Sequence, residues 1–155
     1  MTESIAKLTL DESSIKHLSE EVEHERGVAI ADLLGENTFA PVGMECGPYD
    51  VHLSIEEGRL VFDIHSPEEG KKSHVTLSVS PLRSIIRDYF LICESYYEAL
   101  KNATPSKLEA VDMGRRGVHN EGSEKLREML EGKISIDHQT SRRLFTLLCV
   151  LHIKQ

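Results

Sequence analysis

The sequence predicts an α+β fold: a small antiparallel β-meander packed on one face by helices, with a buried C-terminal helix. Three observations predict it. Residues 49–80 alternate apolar and polar around a two-residue turn signal, residues 82–130 place apolar side chains at helical spacing, and Leu144–Leu151 is apolar nearly all round a helix. No repeat or low-complexity linker divides the 155 residues, so one domain, 1–155, is expected.

The elements follow in order. "AKLTLD" alternates weakly, with Ala6, Leu8 and Leu10 on one side, and reads as a short strand at a sheet edge. Ser19 is placed to cap "EEVEHERGVAIADLLGEN", whose acidic first turn suits the positive end of a helix dipole and whose Gly35 and Asn37 mark its end. Residues 38–48, with Pro41, Gly43, Gly47 and Pro48, read as loop. Glu57-Gly58 then joins "YDVHLSI" to "RLVFDIH" as a hairpin. That turn sets Val51 opposite Ile64, Leu53 opposite Phe62 and Ile55 opposite Leu60, so apolar residues pair with apolar residues on one face. Matching apolar positions in "HVTLSVS" to the middle strand puts Val75 beside Ile64 and Leu77 beside Phe62.

After Pro81, a helical stripe runs through Leu82, Ile85, Ile86, Tyr89, Cys93, Tyr96, Tyr97 and Leu100. Thr104 caps and Pro105 opens the next helix, which runs to Gly132 with a break expected around Gly114 and Gly117. "KISID" reads as a short strand, and Asp137 or Thr140 starts the last helix.

Composition excludes several function classes. A formal charge of −8 opposes binding to nucleic acid or anionic lipid, which is driven by Lys and Arg neutralising phosphates. There is no tryptophan and aromatic residues make up 5%, so no stacking platform for single strands is expected. Three scattered cysteines without CxxC spacing, and no basic-then-apolar segment in "MTESIAKLTLDESS", lead to the expectation of a cytoplasmic protein. The apolar run near "LFTLLCVLHI" is about half the length that spans a bilayer, so no membrane span is expected.

The chemistry concentrates in "DMGRRGVHNEG", residues 112–122. At about 100° per residue, Leu108, Val111, Val118, Leu126, Met129 and Leu130 share one helix face, and Arg115, His119 and Gly122 fall inside it with Asp112 at its margin. Arg116, Asn120 and Ser123 lie round the flank. A guanidinium on a core face needs a carboxylate, carbonyl groups or a ligand. The plainer reading is an internal ion pair with His119 a satisfied neighbour. The functional reading is an anion site in which Arg115, Arg116, His119 and Asn120, joined by Arg142 and Arg143, present fork-shaped donors to a phosphate or carboxylate. His119 is the acid/base residue if the protein is an enzyme, although no nucleophile accompanies it.

A second constellation follows from the hairpin. The sheet face opposite the core carries His52 across from Asp63 and Asp50 across from His65, with Thr76 beside Asp63 and His74 beside His65 on the next strand. Such donors suit a divalent metal at His52, Asp63, His65 and His74, but cross-strand charged pairs on a solvated face are the plainer reading. No metal or other cofactor is assigned. In "VEHERG", salt bridging accounts for Glu23, His24, Glu25 and Arg26. Cys46 reads as a surface thiol in a loop, and Cys93 and Cys149 as core fillers. Tyr89, Tyr96 and Tyr97 read as packing residues.

The chain also resembles the proteobacterial uncharacterised protein family UPF0262 over most of its length. The resemblance rests on "EHER" with "IADLLGENTFAPVG", on "GPYDVHLSIEEGRLVFDI", on "RDYFLICESYYEA", on "DMGRRGVHNEG" and on "RRLFTLLCVLH". It implies a small cytoplasmic α+β protein and brings no activity or catalytic residue with it. Arg115, Arg116, His119, Asn120, Glu121, Arg142 and Arg143 stand where the family pattern places them, whereas "MEC" before Gly47 departs from it. The leading expectation is a non-enzymatic module that binds an anionic small molecule or an acidic partner segment through the Arg/His cluster. The alternatives are an enzyme on a phosphorylated or carboxylated metabolite, and a structural protein or homodimer in which the cluster forms internal ion pairs.

Overall fold

A computed structural model describes residues 2–11 and 19–152. Its elements are β1 (Ile5–Leu10), α1 (Glu20–Gly35), β2 (Phe39–Pro41), β3 (Tyr49–Glu56), β4 (Arg59–Ser66), β5 (Lys71–Ser78), α2 (Arg83–Asn102), α3 (Pro105–Leu130), β6 (Ile134–Ile136) and α4 (His138–His152). The α+β class holds, with the sheet's apolar face on one side of a core that draws on every element.

The β3–β4 hairpin forms as its turn chemistry dictates. Glu57 and Gly58 both take positive φ, 52° and 74°, as a tight two-residue turn requires, and Val51, Leu53 and Ile55 pair with Ile64, Phe62 and Leu60. The next pairing differs from expectation by two residues. Val75 lies opposite Phe62 and Leu77 opposite Leu60, while Ile64 meets Ser73. A two-residue slip leaves every side chain on its own face, so hydrophobic pattern cannot detect it. The turn decides: Gly70, at φ 66°, donates its N–H to the Ser66 carbonyl, and Ser66 therefore pairs with Lys71.

The meander is extended by β1, which adds parallel to β3 and makes the sheet four-stranded in the order β1-β3-β4-β5. β1 is an edge strand as expected, but a register shift between Ile5 and Lys7 changes which residues face inward. Ile5, Leu8 and Leu10 are buried and Ala6 is exposed. The span 38–48 is not wholly loop either, because Phe39–Pro41 pairs antiparallel with Ile134–Ile136 as a separate two-stranded sheet. No local periodicity marks a three-residue strand whose partner lies about ninety positions away.

The helices begin where the caps predict. The Ser19 hydroxyl accepts from Val22 N–H, the Thr104 hydroxyl from Lys107 N–H and the Asp137 carboxylate from Thr140 N–H. A 3-10 turn over Ser80–Leu82 leads into α2. In the last turn of α2 Leu100 is exposed and Ala99 takes the buried place, although Leu100 shares the face of Ile86 and Cys93. α3 runs unbroken through Gly114 and Gly117 for 26 residues. α4 lies against β3 and packs on α1 and α3, with every residue from Leu144 to Leu151 buried except Thr146. Among the described residues no helix is long and apolar enough to cross a membrane.

Candidate functional site

α4 packs on both α1 and α3, and a pocket of about 380 Å³ opens between the three helices. Arg115, Arg116 and His119 of α3 and Arg142, Arg143 and Thr146 of α4 line it. α1 contributes His24, Glu25, Val28, Ala29 and Asp32, and Tyr89 of α2 contributes its ring. Five of the six predicted site residues therefore share one cavity. Asn120 stands outside its lining and accepts a 2.6 Å hydrogen bond from Arg142 Nη1.

The arginines are not equivalent. Arg115 is fixed on all sides: Nε and Nη2 donate to Asp112 Oδ1 at 3.2 and 2.7 Å, Nη1 lies 3.8 Å from Glu25, and the guanidinium sits 4.3 Å over the Tyr96 ring. Burial opposes its charge, but the Asp112 hydrogen bond and the neighbouring acidic groups together outweigh it, so its pKa is raised. The internal ion pair expected for this residue is present. Arg116 reaches Asp112 Oδ2 at 3.3 Å and remains 60% exposed. Arg143 donates to Gln139 at 2.7 Å and lies 3.6 Å from Asp32. Arg142 meets only the neutral amide oxygen of Asn120, and among the described residues no carboxylate lies within ion-pair distance of it.

His119 forms the floor. Its ring is edge-on to Tyr89 and Phe145, its Nε2 shares a 2.8 Å hydrogen bond with the Thr146 hydroxyl, and it is 8% exposed. Burial first, then the charges of Arg142, Arg115, Arg143 and His138, push its pKa down to about 4. The imidazole is neutral at pH 7. Ser123, expected on the flank, is fully buried below it, donating to the His119 carbonyl at 2.8 Å and accepting nothing from solvent. It belongs to the α3–α4 seam, where Ser141 in turn donates to the Ser123 carbonyl at 2.6 Å. Gly122 completes that seam. A Cβ there would collide with the Phe145 ring, so the close approach this glycine permits is to a core side chain, not a ligand.

Sequence reasoning missed the α1 contribution. Glu25 reads as a surface salt-bridge former, yet it accepts from the Tyr97 hydroxyl at 3.0 Å and faces Arg115. The signal was present: Glu25, Ala29 and Asp32 fall at i, i+4 and i+7, the same side of α1 as the buried Leu33. Arg26 pairs with Glu23 at 3.6 Å.

The sheet's outer face is arranged in rows. One row crosses all four strands as Thr9, His52, Asp63 and His74, and the next as Lys7, Asp50, His65 and Lys72. His74 is thus beside Asp63, with Nδ1 2.7 Å from its carboxylate, and not beside His65. Thr76 pairs with Val61, and His65 faces Lys72. His52 hydrogen-bonds Thr9 and His65 lies 3.9 Å from Asp50, so the imidazoles turn to separate partners. Among the described residues no group of three or more His, Cys, Asp or Glu is placed to hold a metal ion. Cys46 lies in a loop, half-buried, where its N–H donates to Glu69. Burial pushes the Cys93 thiol up to about 11 and the Cys149 thiol well above its ordinary value, consistent with packing roles.

The profile of the uncharacterised protein family UPF0262 matches residues 2–154. A UPF0262 protein of Paramagnetospirillum magneticum is 53% identical over 152 residues, covering 98% of this chain and 97% of its own. Those of a Bradyrhizobium species (strain ORS 278) and of Agrobacterium fabrum are each 53% identical over 154 and 148 residues, covering 99% and 96% of this chain and 92% and 94% of theirs. No solved structure gives a significant match.

Proposed function

The chain belongs to the UPF0262 family, whose name carries no activity, and we propose from its arginine pocket that it is a non-enzymatic binding module for an anionic small molecule. One observation carries the reading: in a protein of formal charge −8, four guanidinium groups from two helices line one cavity. Like charges gathered against the overall charge raise the local potential for an anion and, in a recess, focus it. The volume lies at the lower end of the roughly 300–1,000 Å³ typical of small-molecule sites. Arg115 is held internally, Arg116 and Arg143 are partly engaged by Asp112 and Asp32, and Arg142 supplies the readiest donors. An acidic partner segment would meet the same donors, but the volume of the recess matches a small molecule.

Catalysis is the weaker reading. A general acid or base works best with a pKa near the operating pH, and His119, neutral and almost wholly covered, sits far below it.

The test is a thermal-shift comparison of the protein with an Arg142→Ala/Arg143→Ala double variant in inorganic phosphate, citrate and hexanoate at constant ionic strength. At least one anion is expected to raise the midpoint of the parent by several degrees and to leave the variant unmoved. No shift in any anion, or equal shifts in both proteins, would remove the proposal.

A further inference from the structure

Resting on that reading, we infer that the pocket selects an apolar monocarboxylate over a phosphate, with Arg142 as the residue that receives the carboxylate.

The charge balance of the cavity points to one negative charge. Asp112 engages both Arg115 and Arg116, Glu25 faces Arg115, and Asp32 faces Arg143. Four guanidiniums thus meet three carboxylates, and the one without an acidic partner among the described residues is Arg142. A ligand bearing a single charge completes the set. A phosphate group, at about −1.5 to −2 near pH 7, brings more charge than the site leaves unmatched and would face Asp32 and Glu25 across a small cavity. The planar fork of Arg142 is spent only through Nη1, on Asn120, so the remaining edge is available for the two parallel bonds a carboxylate accepts.

The α1 side of the cavity carries an apolar strip between two carboxylates, Glu25 and Asp32. Val28 of α1 is 44% exposed although its helix packs on α4, and with Ala29 and the Tyr89 ring it lines the same cavity. Covering that strip favours a hydrocarbon body, and the carboxylates beside it oppose a second negative charge. The depressed pKa of His119, to which Arg142 is the largest charge contributor, is in keeping with an unmatched positive field at that end of the pocket. Asp32 becomes a selectivity residue in this arrangement: it occupies Arg143 and so keeps the site monovalent.

Isothermal titration calorimetry at pH 7.5 with hexanoate, acetate and inorganic phosphate tests this directly. Hexanoate is expected to bind at least tenfold tighter than either acetate or phosphate, and Arg142→Gln to weaken hexanoate at least tenfold. Asp32→Asn, which releases Arg143 without altering Arg142, is expected to narrow the gap by strengthening phosphate. Phosphate binding as tightly as hexanoate to the parent protein would overturn the monocarboxylate assignment while leaving an anion site in place. Hexanoate binding that survives in a folded Arg142→Gln would overturn the role of Arg142. Absence of heat or midpoint shift with every anion would overturn this inference and the binding module together.

Discussion

His119 is a charge-carrying residue type kept uncharged by its surroundings. Between a pH of about 4 and the ordinary value of 6.5, the unfolded chain binds a proton that the native chain excludes. Stability is therefore complete above pH 6.5 and lost as pH falls through that window, by about 3 kcal/mol in all. His152, lowered by burial and then by Arg83, acts with the same sign. His119→Gln should flatten the pH dependence of urea unfolding between 6.5 and 4; an unchanged slope would mean the imidazole is not held neutral. The inward placement of Arg115, His119 and Gly122 was legible from a 3.6-residue period. Ser123 was not, because its burial comes from α4 closing over the flank of α3, which no spacing within α3 records.

At the level of elements, caps and the hairpin turn were readable because each rests on residues within four positions of one another. The α3–α4 contact is different in kind. It depends on one absent side chain, at Gly122, and on the Phe145 ring that fills the space. Gly122→Ala is expected to destabilise the protein by about 3 kcal/mol or more, since neither a helix backbone nor a fully buried ring can give way cheaply. Thermal unfolding measures it, and a loss below about 0.5 kcal/mol, the scale of a surface change, would contradict this packing. The same glycine-rich stretch misled the reading of α3. Gly114 and Gly117 each lower helix propensity by about 1 kcal/mol, yet burial of the flanking face against α2 and α4 carries the helix through them.

Across the whole molecule, protection from solvent is uneven. α4 is covered on nearly every side and β3–β4 is flanked by strands on both edges, whereas β1 and β5 each leave one edge open. In hydrogen exchange the slowest amides should lie in Leu144–Leu151 and in the paired residues 51–64, with β1 and β5 faster; slowest exchange in β1 or α2 would place the stable centre elsewhere. The α+β class, the β3–β4 register, the helix starts, the buried last helix and the polar stripe on α3 were all readable from residue order, because periodicity, capping and turn chemistry are local. Tertiary structure alone decided that β1 joins parallel, that β2 finds β6, that β5 sits two residues from its hydrophobic match, and that Glu25 and Asp32 of α1 face the arginines. Those features come from groups brought together across long stretches of chain, where several pairings satisfy the same local pattern and only the packed whole selects one.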